Sequence, residues 1–393
     1  MSSLVNKQLT VTIEKLAIGG SGIARHDGFV IFVPNSAPGD ELLIEVTTKK
    51  KNFAEARILE ILKSSPSRRT PPCPIADRCG GCNWQHITED EQRKQKQTMV
   101  QEILVKFLPG HELPFLPIKE SPLSLRYRNR IQPKYFQGHL GFFARRSHGI
   151  IEAQDCPITE EKLTAEFGKI KSELDKKFLT SKEIQRLELY LDRNEHPQWL
   201  LLGEEKDGVG FSQVNRFQNE DLIKTVLEWS HGSEYEHIFD LYAGSGNFTF
   251  PLSEIFSTQQ INAVELDSKL VQQARKKIQL STSLNKRIHF HQSDVANFLQ
   301  GAKLRSKDLV VLDPPRAGAD EVVMKSLAQG TVARIIYISC HPASLARDLK
   351  YFFATQEHLP IVNRLKLKKI QCFEMFPQTD HVETIAELAV DTP

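Results

Sequence analysis

His237-Ile238-Phe239-Asp240-Leu241-Tyr242 runs without interruption into Ala243-Gly244-Ser245-Gly246-Asn247-Phe248. Apolar residues suited to a buried strand end in a turn whose glycines permit a sharp reversal and close backbone approach. Strand-like runs then recur at Ile261–Asp267, Ile288–Asp294, Leu309–Arg316 and Arg334–Pro342, separated by helix-length segments. This alternation predicts an α/β domain with a doubly wound, mainly parallel sheet over residues 209–393. Such sheets place their chemistry at the strands' carboxyl ends.

The carboxyl-end residues are chemically informative. Gly244 and Gly246 let the backbone approach a nucleoside, and Glu265, 19 residues beyond Gly246, is placed to accept from ribose hydroxyls. Asp294, ending the third run, is placed to accept from an adenine amino group. The full dinucleotide fingerprint is absent, because Phe248 and Thr249 follow the G-x-G, so no pyrophosphate cradle is demanded. S-adenosylmethionine, which carries no phosphate, fits better. Asp313-Pro314-Pro315 closes the fourth run and Tyr242 is positioned to pack on the cofactor. Gln213, in Phe211-Ser212-Gln213-Val214-Asn215, precedes the domain as a lid contact.

The fifth run delivers Cys340 to an abrupt stop, since Pro342 carries no N–H for a ladder. A thiol at a strand's carboxyl end is a candidate nucleophile. Cys372 reads as core.

Upstream, Cys73, Cys79 and Cys82 are spaced C-x5-C-x2-C among Pro71, Pro72, Gly80 and Gly81, a loop able to turn several sulfurs to one point. Cys156 is the remaining cysteine outside the last third. Four thiolates suit structural zinc or a [4Fe–4S] cluster; three close together plus one distant favours iron–sulfur, whereas zinc usually takes two paired C-x2-4-C units. A fourth thiol and the gap of five argue against a radical enzyme.

Between Arg126 and Arg146, six Lys or Arg and five Tyr or Phe occur with no Asp or Glu. Phosphate neutralisation with base stacking would use such a stretch on single-stranded RNA; a strand pair with arginines outward and aromatics inward is compatible with the same pattern. Residues 88–107 predict an amphipathic helix with a capping signature at Thr88 and apolar Met99, Ile103 and Phe107.

Residues 1–62 carry apolar runs Leu9–Ile13, Gly28–Val33, Glu41–Val46 and Phe53–Leu62 between Gly- and Pro-bearing turns, the pattern of a small β-barrel. Lys49-Lys50-Lys51 is expected on the loop before the last run. The Gly19–Arg25 turn and Phe32–Asp40 stretch resemble the TRAM domain, an oligonucleotide-binding (OB)-type barrel attached to RNA-modifying enzymes.

Composition bounds these readings. At 393 residues the chain suggests two or three domains; 40% hydrophobic and 25% charged residues are ordinary for globular proteins, and a net charge of +2 identifies no partner. There is no apolar run of membrane-spanning length and no signal-peptide pattern, so a cytoplasmic protein is expected. Six cysteines are too few for a disulfide scaffold.

Taken together, these motifs resemble the RNA uracil-5-methyltransferases, in particular the branch acting on 23S ribosomal RNA and carrying a TRAM domain and an iron–sulfur cluster. The carriers are the four cysteines, Phe211–Asn215, Asp240–Phe248, Asp313–Arg316, Ser339–Pro342 and Phe376–Glu383. The resemblance implies a Rossmann-like S-adenosylmethionine-dependent domain (209–393), an N-terminal TRAM barrel (1–62) and a central α+β iron–sulfur domain (63–208) contacting RNA. It implies cofactor contacts from Gln213, Tyr242, Glu265 and Asp313, with Cys340 as nucleophile and Glu383 as base; for Glu383 the alternative is an exposed carboxylate on an edge strand. It further implies that the helix over 88–107 packs with the catalytic domain. Ala243 departs from the family, many of whose members have Cys there. The expected partner is 23S ribosomal RNA with its target uridine unpaired or flipped, bound by a monomer. Two other readings remain: a transfer-RNA uracil-C5 methyltransferase, disfavoured because those relatives generally lack what residues 1–82 carry, and a non-catalytic RNA-binding protein or chaperone with a relic fold.

Overall fold

The computed structural model describes residues 4–192, 194–202, 213–232, 234–280, 284, 286–361 and 364–390. Phe211 and Ser212, and the expected boundary at 208/209, lie outside the described residues.

The amino-terminal sheet contains β1 (Gln8–Thr12), β2 (Lys15–Leu16), β3 (Gly22–His26), β4 (Phe29–Val33), β5 (Glu41–Lys49) and β6 (Phe53–Lys63), in the order β1-β5-β6-β4-β3-β2. Alternation directs Leu42, Ile44 and Val46 inward onto Val11, Ala24, Ile31 and Ala54. Lys49 ends β5, so only Lys50 and Lys51 of the triplet belong to the turn.

A second, antiparallel sheet comprises β7 (Arg130–Ile131), β8 (Lys134–Phe136), β9 (His139–Phe143), β10 (Ile150–Glu152), β11 (Gln185–Leu191) and β12 (Pro197–Leu201). Helix Phe167–Phe178 covers it through Phe167, Ile170 and Leu174. Tyr127 and Tyr135 are fully buried here, which corrects the expectation that they stack on bases. Acids elsewhere in the chain take the arginines: Arg126 pairs with Asp155, Arg130 with Glu188 and Arg146 with Glu55.

The carboxyl-terminal sheet has the order β15-β14-β13-β16-β17-β19-β18, from β13 (His237–Leu241), β14 (Gln260–Glu265), β15 (Ile288–Gln292), β16 (Asp308–Leu312), β17 (Arg334–Ser339), β18 (Lys366–Phe373) and β19 (Glu383–Ala389). β13 to β17 pair in parallel; β19 runs antiparallel to both β17 and β18. Apolar clusters cover both faces, which explains why the central strands β13, β16 and β17 read as mainly apolar runs, while β15 at the edge alternates. Strand order reverses beside β13, opening a crevice between the carboxyl ends of β13 and β16.

Helix Glu89–Phe107 packs its Val100 and Leu104 into the core of this third sheet. The expected line Met99, Ile103 and Phe107 lies on the packed side, Met99 buried and the other two partly buried against the core, and the face is wider than expected: Val100, Leu104, Gln92, Gln95 and Lys96 are buried as well, and Thr88 makes no side-chain capping bond. Gln92 and Lys96 are buried because they serve the loop after β18, and Gln95 because it accepts from Leu16 N–H on β2. Lys96 Nζ donates to Phe376 O at 3.1 Å and lies 3.7 Å from Glu374, and burial lowers its pKa to about 8.

Candidate active site and cysteine cavity

The crevice is built by the turn after β13. Tyr242 adopts φ +62°, Gly244 +57° and Gly246 +94°, and a Cβ on Gly246 would stand 2.5 Å from the Phe250 ring. The turn is thereby held tight against its following helix. Gly244 N–H donates to Glu265 Oε2 at 2.9 Å, and Asp267 N–H donates to Glu265 Oε1 at 2.8 Å, so the acid at the end of β14 is aimed at the glycine turn. Asp294 caps helix Val295–Gly301 by accepting from Asn297 N–H at 3.1 Å. Asp294 and Tyr242 are neighbours: burial first, then the charges of Asp320 and Asp294, holds the Tyr242 hydroxyl above its ordinary pKa.

Gln213 stands on a segment tied to the turn through the helix it leads into. Asn215 caps helix Arg216–Ser230, and Asn219 on that helix exchanges two amide hydrogen bonds with Asn247, at 3.0 and 3.1 Å. This pair was not anticipated, because its members lie in separate motifs. Beneath the turn, buried Asp240 accepts from Thr249 Oγ1, its other oxygen has no hydrogen-bond partner, and burial raises its pKa to about 7. A charged residue inside an apolar run is the signal that marks it.

β17 ends at Ser339, one residue before Cys340. His341 then caps helix Pro342–Gln356, its ring nitrogen accepting from Ser344 N–H at 3.3 Å, so Pro342 begins a helix as well as stopping a strand. β19 runs against β17 in the register Ser339↔Thr384, which brings Glu383, its first residue, beside the carboxyl ends of the parallel strands. Glu383 is 2% exposed on an interior strand, so the edge-strand alternative does not apply.

Cys340, Asp313 and Glu383 share one environment. Burial pushes the Cys340 thiol up to about 12, reinforced by the charges of Glu383 and Asp313. Burial and then Asp240 raise Asp313 to about 7; burial and then Asp313 hold Glu383 well above the carboxylate range. A thiol held as S–H beside two acids held towards neutrality is a site for nucleophilic and proton-transfer chemistry.

The other cysteines meet elsewhere. Cys73, Cys79, Cys82 and Cys156 line one cavity of about 590 Å³. Arg145 organises the loop by donating to Cys79 O, Ala76 O and Cys82 O at 3.1, 2.9 and 2.7 Å. Burial raises the pKa of all four thiols, that of Cys82 to about 12, and for Cys73, Cys82 and Cys156 the other thiols of the set raise it further. Among the described residues, no three His, Cys, Asp or Glu side chains converge on a point able to hold a single metal ion.

Comparison with known proteins decides the family. Residues 203–389 match the model described as tRNA (Uracil-5-)-methyltransferase, and residues 2–59 match the TRAM domain. An RNA methyltransferase of Bdellovibrio bacteriovorus is 55% identical over 99% of this chain and 97% of its own. A 23S rRNA (uracil(1939)-C(5))-methyltransferase, RlmD, of Vibrio cholerae is 30% identical over 98% of this chain and 96% of its own. The chain belongs to the RNA uracil-5-methyltransferase family. This methyltransferase is an S-adenosylmethionine-dependent enzyme with a TRAM domain at its amino terminus. Its fold matches that of the Pyrococcus abyssi tRNA (uracil-54, C5)-methyltransferase, solved with S-adenosyl-L-homocysteine, at a TM-score of 0.73 and 23% identity over 97% of this chain and 99% of that one. A transfer-RNA enzyme therefore shares the fold nearly end to end.

Among the described residues, no helix of the methyltransferase is long and apolar enough to cross a membrane.

Proposed function

We propose that this methyltransferase forms 5-methyluridine in 23S ribosomal RNA through a covalent bond between Cys340 and uracil C6. The observation that carries this reading is the environment shared by half-buried Cys340 and Asp313 and fully buried Glu383 at the carboxyl ends of the strands. Uracil C5 is a weak carbon nucleophile until a group adds at C6 and makes the ring an enolate. A thiolate is suited to that addition.

When bound, S-adenosylmethionine supplies the methyl group on a sulfonium whose positive charge opposes those of Asp313 and Glu383 and so favours the thiolate. Gln213, Tyr242, Gly244, Glu265, Asp294 and Asp313 are the residues proposed to hold it, Glu265 through the ribose. Cys340 gives up its S–H proton to water, the thiolate Sγ adds to C6, and the electron pair of the C5–C6 double bond becomes available at C5 for methylation. Asp313 and Glu383, pressed towards sharing a proton, can split the remaining work: Asp313 holds the uracil's polar edge while Glu383 takes the C5 proton. As that proton leaves, its bonding electrons restore the C5–C6 double bond and Cys340 departs. The target uridine reaches the half-buried thiol only when unpaired or flipped from its stack.

Cys73, Cys79, Cys82 and Cys156 fit a [4Fe–4S] cluster. They line one cavity, and thiols opposed by burial and by one another gain from a cationic centre. The cluster's contribution is to pin the loop from Cys73 to Cys82 to Cys156 across intervening chain. We place the enzyme in the cytoplasm as a monomer with domains over 1–62, 63–208 and 209–393.

Mapping 5-methyluridine in 23S ribosomal RNA and transfer RNA from cells with and without the protein tests the substrate. Loss of a 23S site supports the reading. A loss confined to transfer RNA would replace it with the second reading, which the Pyrococcus fold match keeps in view.

A further inference from the structure

The loop that leads into Glu383 is gripped from two other parts of the chain. Asp380, three residues before Glu383, uses both carboxylate oxygens: Oδ1 accepts from Asn83 Nδ2 at 2.6 Å and Oδ2 from Gly19 N–H at 2.7 Å. Asp380 N–H donates back to Asn83 Oδ1 at 3.1 Å, making a reciprocal pair across 297 positions of sequence. Trp84 adds two bonds: its N–H donates to Gln378 O at 3.1 Å, and its indole N–H to Gly20 O at 3.1 Å. A Cβ on Gly20 would stand 2.2 Å from Asn83 Nδ2, so the barrel turn lies hard against this pair. Asn83 directly follows Cys82. One junction therefore joins the barrel turn, the cysteine loop and the loop that carries Glu383.

We propose that Asn83 and Asp380 are positioning residues for Glu383, so that the barrel turn and cysteine loop set where its carboxylate stands over C5 of the target uridine. The inference rests on the roles proposed above for Cys340 and Glu383. Glu383 is the first residue of β19, in register with Phe373, and the strand ladder fixes only this residue and the chain that follows it. What comes before is anchored by other means: Lys96 on Phe376 O, Tyr127 on Pro377 O and Gln92 on Gln378 hold its first half, and the junction holds Asp380, the part nearest Glu383. Cys340 is held independently by β17 and helix Pro342–Gln356. Loosening the junction therefore leaves addition and methylation comparatively intact and slows removal of the C5 proton. A displacement of about 1 Å suffices to slow a positioned step about 100-fold.

The test uses the full chain, purified anaerobically, with a ribosomal RNA fragment containing the mapped uridine. Asn83→Ala and Asp380→Asn are expected to lower kcat roughly 10- to 100-fold, keep S-adenosylmethionine affinity within about twofold, and raise the fraction of RNA covalently bound on denaturing gels. The swapped double variant, Asn83→Asp with Asp380→Asn, restores every bond: the new amide oxygen at 380 accepts from Gly19 N–H, its N–H donates to the carboxylate at 83, and that carboxylate still accepts from the backbone N–H of 380. It is expected to regain turnover and lose the trapped adduct. Wild-type turnover in both single variants, or a fall in turnover with an equal fall in adduct, would overturn the inference. Failure of Glu383→Gln to trap any adduct would instead remove the base assignment on which it depends.

Discussion

Burial, and then the charge of Asp313 at the carboxyl end of β16, holds the carboxyl of Glu383, the first residue of β19, towards its neutral form. The two acids come from strands of opposite direction, and the antiparallel return of β19 is what makes their meeting possible.

Their burial has a consequence for stability. The Asp313 pKa is raised from near 4 to about 7 in the folded protein, so its contribution to stability is fully present below about pH 4 and is lost as pH rises through 7. Asp313→Asn removes that loss. Thermal unfolding without ligand should show the variant more stable than wild type at pH 8 by roughly 2 °C or more, with the difference vanishing near pH 4, while methylation is abolished. Equal shifts at both pH values would contradict the buried-acid account.

Cys340→Ala should keep RNA and S-adenosylmethionine binding near wild type and lose turnover. Tritium release from RNA labelled at uracil C5 reads this directly, since that proton leaves only after the thiol has added. Release at a normal rate would exclude covalent catalysis.

Glu265 accepts from Gly244 N–H and Asp267 N–H and is proposed to accept from the ribose as well. Glu265→Ala should weaken S-adenosylmethionine binding by about 10- to 100-fold, the value of a lost charged hydrogen bond. Calorimetry with S-adenosyl-L-homocysteine measures it without turnover. An unchanged dissociation constant would move the ribose contact elsewhere.

Cys79→Ser and Cys156→Ser should each lower bound iron and bleach the visible absorption of anaerobically purified protein. Metal analysis returning zinc in place of iron would overturn the cluster assignment.

What could be read from the sequence follows from which interactions are local. The runs ending in Tyr242, Asp313 and Cys340 were legible because strands buried on both faces are mainly apolar, and the run ending in Asp294 because β15, at the sheet's edge, alternates Ile288 and Phe290 inward with polar residues between them. Lys96 was not, because a lysine in a charged helix ordinarily faces water; its partners at Phe376 and Glu374 are supplied by a loop 280 and 278 positions later. Arg126 and Arg130 read as RNA ligands for a related reason: Asp155 and Glu188, which pair with them, lie outside the basic stretch. The pairing of Asn83 with Asp380 follows the same rule, as each sits in a motif legible for another purpose.

The most direct test of the account is a denaturing gel of Glu383→Gln incubated with substrate RNA and S-adenosylmethionine. The amide cannot take the C5 proton, so the account predicts a stable protein–RNA adduct containing the transferred methyl group, lost when Cys340→Ala is added. Normal turnover without adduct, or an adduct that persists without Cys340, would contradict it.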